Sequence, residues 1–230
     1  MHKEDVYRDL KQKILSEELA PGEWLVERNI SQTYQISRTP VREILRRLVT
    51  DGLLSLEPSK GCLVRRLNLE EIIEIFQARE AIEGTAVRLS CLRGDQAFFS
   101  KIIELKEKFE TYDISWDSSL GVIAGNELHD AIVEAANNAL LGEFYQKSRN
   151  LLSLIRNITK KSVDIEKSSQ ADHLAITKAI LSRDDVESEK CMREHLSSTC
   201  HLLVKSLLID QAGLLDRSAI WKLQLARAKD

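Results

Sequence analysis

Val6, Leu10, Ile14 and Leu15 recur at helical spacing, which predicts an amphipathic helix from about residue 4 to 18. Pro21-Gly22 closes that unit with a turn. A second short helix is predicted from about 27 to 34, with Leu25 and Ile30 pointing inward. Gln35-Ile36-Ser37 forms a tight connection to a third helix, about 39 to 51. There Val41, Ile44, Leu45 and Leu48 make an apolar stripe at i, i+3, i+4, i+7. Ser37 or Thr39 can cap this helix, Pro40 suits its first turn, and Gly52 marks its end. Two apolar runs, 53–56 and 62–64, flank Glu57-Pro58-Ser59-Lys60-Gly61 and read as a β-hairpin. Helix, helix, helix, hairpin is the order of a winged helix-turn-helix.

From Leu69 onward only helical periodicity remains. Helices are predicted at about 69–92, 95–111, 117–136, 139–158, 167–182 and 185–209. The breaks fall at Gly94-Asp95, Tyr112 to Trp116, Asn137-Asn138, Thr159 to Glu166, and Ser182 to Asp185. The expected fold is mostly α: a winged helix-turn-helix domain over 1–66, an all-α helical bundle over 69–210, and a tail over 211–230. No repeat of 20–50 residues points to a solenoid.

Composition agrees with this pattern. Only 3 Pro and 9 Gly interrupt 230 residues. No apolar run reaches the roughly 18 residues of a membrane span, and the first residues do not read as a secretory signal. Cys62, Cys91, Cys191 and Cys200 are scattered, without a Cys-x-x-Cys pair, so reduced thiols in a cytoplasm are expected. The net charge of −3 divides unevenly, with residues 1–66 at net +2 and the remainder at net −5. A basic head on an acidic body suits a DNA-binding module joined to one that does not touch DNA.

Arg38, Arg42 and Arg46 lie away from the apolar stripe of the third helix. Major-groove reading needs this division, a buried stripe to fix the helix and long donors to reach phosphates and base edges. Charge spacing alone equally describes a solvated helix face. The run Ser37-Arg38-Thr39-Pro40-Val41-Arg42-Glu43-Ile44-Leu45 follows Pro21-Gly22 and Glu27-Arg28, and precedes Asp51-Gly52-Leu53-Leu54. Together these resemble the winged helix-turn-helix of the GntR family of regulators. The resemblance spans about residues 5 to 66. It implies DNA contacts by Arg28, Arg38, Thr39 and Arg42, with Ser37 and Arg46 alongside, and a wing tip at Lys60-Gly61 that reaches the minor groove. Ile44 stands where the family usually has Ala, at a position expected to face the core.

In the second half, His173 lies about ten residues before the turn at 182–185 and His195 about ten after it. If the two helices fold back as a hairpin, a rise of about 1.5 Å per residue brings both imidazoles to similar height. His129, on a central helix, offers a third. Three converging imidazoles make a divalent-metal site, for zinc, manganese or nickel; a single His would more often be packing. Arg79-Glu80-x-x-Glu83, Leu128-His129, Asn138-x-Leu140-Leu141, Asp172-His173-x-x-Ile176 and Arg193-Glu194-His195-Leu196 resemble the FadR-type branch of the family, with its helical effector domain. That resemblance implies that Arg79 pairs with an effector carboxylate; the alternative is a surface salt bridge to Glu83 at i+4. Asn138 is a further effector candidate, or a helix-end cap. The family usually adds an Asp one turn before the first His. Here Gly125 takes that place, and Asn126 is the nearest substitute donor.

The expected function is a ligand-responsive, sequence-specific transcription regulator, not an enzyme. Its expected partners are palindromic operator DNA, a small carboxylate effector and a second copy of the chain as homodimer, with no membrane partner and a cytoplasmic location. A metal-dependent enzyme using the His cluster is the alternative. Against it stand the absence of a His-Glu-x-x-His motif and of a Gly-rich phosphate loop. A third reading is a helical interaction module that keeps a vestigial helix-turn-helix.

Overall fold

The computed structural model describes residues 2–58, 60–111, 118–155 and 163–210. The expected break at Tyr112 to Trp116, part of the polar stretch near 159, and the tail 211–230 lie outside the described residues. The described residues divide into two compact units, those within 2–68 together with 147–155, and those within 69–146 together with 163–210.

In the first unit, α1 (Lys3–Leu15) buries Val6, Tyr7, Leu10 and Ile14. It ends before residue 18, because Glu17 turns left-handed at φ 60°. No glycine announces that turn. The helices α2 (Glu27–Tyr34) and α3 (Arg38–Thr50) follow, joined through a left-handed Gln35. The predicted stripe Val41, Ile44, Leu45 and Leu48 is buried, so Ile44 packs in the core and leaves the opposite face to the arginines. Tyr7 donates its hydroxyl to Asp51 at 2.5 Å, and the Arg47 guanidinium lies 3.6 Å over the Tyr7 ring. These contacts tie α1 to the end of α3.

The wing is β2 (Leu54–Glu57) and β3 (Gly61–Val64), paired antiparallel from Leu54↔Val64 to Glu57↔Gly61. A two-residue strand, β1 (Trp24–Leu25), adds to the other edge of β3. The strand order is therefore β1-β3-β2. Two residues carry too little alternation to be read from sequence. At the wing tip Gly61 has φ +109°, a conformation open to glycine and strained for any other residue.

The second unit is helical, as the periodicity predicts. It contains α4 (Leu69–Arg93), α5 (Gln96–Thr111), α6 (Ser118–Ala135), α7 (Ala139–Ser153, whose last turns belong to the first unit), α8 (Val163–Leu181) and α9 (Asp185–Asp210). α4 packs on α6 and α9, α8 on α5, α6 and α9. Ile102, Leu105, Phe109, Leu128, Ile132, Ile176, Ile180, Leu196, Leu203 and Val204 are almost wholly buried. At about 25 cal/mol per Å² of apolar surface, each such side chain contributes on the order of 1.5–3 kcal/mol. That core holds α6, α8 and α9 in register. Arg183, left-handed at φ 59°, turns α8 into α9, and Asp184 Oδ1 accepts the Glu187 amide at 2.9 Å to cap α9. This is the hairpin expected between His173 and His195. Among the described residues no helix is long and apolar enough to cross a membrane.

Candidate functional site

On the first unit Arg28, Ser37, Arg38, Thr39, Arg42, Arg46 and Lys60 are all exposed, and Gly61 is half-buried at the wing tip. Ser37 occupies the N-cap position of α3 with extended backbone, but its side chain makes no capping hydrogen bond. The expected cap is thus absent in α3. Arg42 Nε donates to Glu27 Oε2 at 2.8 Å and Oε1 at 3.0 Å, across from α3 to α2. Arg47 is drawn the other way, to Glu4 at 2.7 Å. Two arginines of α3 are thus ion-paired to neighbouring helices, Arg42 to α2 and Arg47 to α1.

In the second unit three imidazoles meet. α6 brings His129, α8 His173 and α9 His195, each buried, with one nitrogen from each within 4.8 Å of the others. Ring centroids of His173 and His195 lie 4.5 Å apart, and each lies 5.3 Å from that of His129.

Hydrogen bonds fix the tautomers. Glu83 Oε2 sits 2.5 Å from His129 Nδ1. An ionised carboxylate only accepts, so Nδ1 carries a proton and Nε2 is the nitrogen that faces the other rings. Asp172 Oδ2 faces His195 Nδ1 at 3.4 Å and leaves His195 Nε2 free in the same sense. His173 Nε2 lies 3.3 Å from His129 Nε2. That separation suits a hydrogen bond between neutral rings. It is also about the spacing of two nitrogens bound at about 2.0–2.1 Å to one tetrahedral ion.

Burial, with the neighbouring imidazoles and Arg79, holds His173 well below its ordinary pKa. Burial also lowers His195, against the opposing pull of Asp172. Neutral imidazoles are ligating imidazoles. Two of the three also have the carboxylate partner that orients metal-binding histidines, so the donor set fits a divalent ion.

Glu83 was legible in the sequence only as the i+4 partner of Arg79. It is 1% exposed at its side chain, and Arg79 Nε donates to its Oε1 at 2.5 Å. The ion pair exists, but inside the unit rather than at the surface. Burial alone would push the Glu83 carboxyl up; Arg79 and His129 outweigh it and keep the group ionised. Its link to His129, 46 residues on, is tertiary and leaves no trace in local spacing. Asn126 is half-buried on α6, and Asn138 caps α7 by accepting the Leu141 amide at 3.3 Å. At Gly125 an added Cβ would lie 2.6 Å from His173 Cε1. The missing carboxylate position is therefore covered by the His173 ring.

Glu166 sits two helical turns before His173 on α8, buried, and burial pushes its carboxyl up to about 7 from an ordinary 4.5. A raised folded-state pKa means stability fully present below 4.5 and lost as pH rises through about 7. Glu166→Gln is expected to abolish that loss, up to about 3 kcal/mol, giving a melting temperature that no longer declines between about pH 5 and 8. An unchanged decline would place its origin elsewhere.

Known proteins agree with this build. The model of the gntR family of bacterial regulatory proteins matches residues 2–64, and that of the FCD domain matches residues 74–198. The HTH-type transcriptional repressor GlaR of Escherichia coli (strain K12) is 27% identical over 216 residues, covering 88% of this chain and 96% of the relative. The Nta operon transcriptional regulator of Aminobacter aminovorans is 28% identical over 177 residues, covering 76% and 82%. The solved structure of E. coli McbR/YncC superposes with a TM-score of 0.71 at 22% identity, covering 89% of this chain and 98% of that one.

A winged helix-turn-helix followed by a helical domain with a buried polar cluster is the architecture of a DNA-binding transcription regulator. The chain belongs to the gntR family of bacterial regulatory proteins and carries an FCD domain. The matched families and these relatives are regulators, which removes the metal-dependent enzyme as an alternative.

Proposed function

We propose that this regulator senses a small carboxylate metabolite in its FCD domain, with a divalent ion held by His129, His173 and His195, and answers by changing its grip on operator DNA. The convergence of three buried imidazoles carries this reading. When bound, such an ion supplies positive charge that attracts a carboxylate. Arg79, facing the same cluster through Glu83, offers the fork that pairs with it. To do so it must exchange Glu83 for the incoming group. Asn126 is offered as an additional oxygen donor near His129; Asn138 already serves its helix cap.

On the DNA side, Arg28, Ser37, Arg38, Thr39, Arg42 and Arg46 are proposed to contact the major groove and its phosphates, and Lys60-Gly61 the minor groove. Their exposure supports this, as does the Ser37 hydroxyl left unused by its own helix. A palindromic operator calls for two copies, which double the phosphate contacts. Light scattering is expected to give roughly twice the chain mass of 26.2 kDa; a monomer mass at micromolar concentration would reject the dimer. The site of action is the cytoplasm, where the DNA is.

The test of the sensing site is a calorimetric titration of zinc into chelator-stripped, full-length protein. One ion per chain is expected, and none in His129→Ala. No binding to the unaltered protein would defeat the metal reading.

A further inference from the structure

The proposed ion faces an unusual electrical problem. All three donors are imidazoles, which bring no negative charge, and no carboxylate stands at position 125. Nor can one be added without moving His173, because a Cβ there meets His173 Cε1 at 2.6 Å, Nδ1 at 3.3 Å and Nε2 at 3.4 Å. A dication held only by neutral imidazoles inside a helical core would leave its charge uncompensated. An anion in the buried network does lie within reach. Glu83 is wholly buried on α4 and touches the cluster through His129 Nδ1 at 2.5 Å.

We infer that Glu83 is the charge-compensating and positioning residue of this site, acting through His129 from outside the coordination sphere in place of the carboxylate that Gly125 lacks. The inference rests on the metal reading above.

Two physical consequences follow from the same carboxylate. By accepting the His129 Nδ1 proton, Glu83 aims the Nε2 lone pair at the cluster and makes the ring a stronger donor. By also holding Arg79 at 2.5 Å, it stands between the cation site and the residue that meets the effector. A cation at the three imidazoles draws Glu83 toward His129 and weakens its hold on Arg79. An anionic ligand that takes Arg79 in turn frees Glu83 to serve His129. Each event favours the other, and linkage requires the effect to be reciprocal. Asp172 plays a lesser part: it is about a third exposed and stands 3.4 Å from His195 Nδ1.

The experiment is zinc affinity by chelator competition in the full chain, alongside the visible spectrum of the cobalt(II)-loaded protein. Glu83→Gln keeps the shape and a hydrogen-bond acceptor but removes the charge. It is expected to weaken zinc binding 10- to 100-fold, on the scale seen for such outer partners, with the cobalt spectrum unchanged in shape because the ligands are the same. Glu83→Asp keeps the charge and is expected to lose less than about a third of the logarithmic effect of the Gln variant. If the Gln variant fails to fold, the Asp variant carries the test: affinity lost as completely as in His129→Ala would overturn the assignment. An unchanged zinc affinity in Glu83→Gln would also overturn it while leaving the metal site standing. A changed cobalt spectrum would make Glu83 a ligand and overturn it too. Failure of the unaltered protein to bind zinc would instead strike the underlying reading.

Discussion

Arg42→Ala is expected to weaken binding to an in vitro selected operator by about 1–3 kcal/mol, if Arg42 makes a bidentate contact to a base edge. In the free protein Arg42 is committed to Glu27, so the substitution also leaves Glu27 facing the DNA phosphates without its partner. Both effects lower specific affinity. Their signatures differ in a salt titration. Loss of a base contact changes discrimination between operator and unrelated DNA with little change of slope. Loss of a phosphate contact lowers both affinities together and reduces the salt slope by about one unit. Folding should be almost untouched, because the pair is exposed and such pairs contribute about 0–1 kcal/mol. An unchanged affinity and slope would mean that another face of α3 meets the DNA.

A second large effect is expected in the helical unit. In the unaltered protein, zinc is expected to stabilise the folded chain by mass action, by about 2.7 kcal/mol at a hundredfold excess over its dissociation constant, and so to raise the melting temperature. The double substitution His173→Ala and His195→Ala should abolish that rise and the effector response, while operator binding by the first unit stays largely intact. The zinc effect should also fade as pH falls through the imidazole range. His173 and His195 are depressed below their ordinary value by burial. In the metal-free chain their contribution to stability is therefore present above about 6.5 and lost as pH falls toward the folded-state values. Protonation of the same rings removes the lone pairs that bind the ion. A melting temperature that still rises with zinc in the double variant would place the ion elsewhere.

Much of this was legible in the chain because it is written in periodicity. The stripe of α3, the hairpin around Lys60-Gly61 and the long helices from Leu69 each repeat at the spacing of their element. Even the meeting of His173 and His195 follows from equal distances to one turn. What was not legible depends on single residues or on distant ones. β1 has two residues and gains its partner 39 positions away, Leu63 for Trp24. α1 stops at a left-handed Glu17, a conformation that glycine usually signals. Ser37 looked like a cap and stands at the cap position without making the bond. Glu83 looked like half of a surface pair because Arg79 is four residues away. Its burial and its bond to His129 come from the packing of α4 on α6, which no local pattern encodes.

One chain is proposed to couple an ion-assisted carboxylate site in its helical domain to DNA reading by its winged helix-turn-helix. Fluorescence anisotropy of a labelled operator tests it most directly, measured on the full-length protein across a panel of small carboxylates, once with zinc and once after chelation. At least one carboxylate is expected to shift the operator dissociation constant in the zinc-loaded protein, and chelation or Arg79→Gln to remove the shift. A response equally strong in chelated protein would contradict the role given to the three histidines. A zinc-loaded protein whose operator affinity no carboxylate alters would rule out carboxylate sensing by this chain.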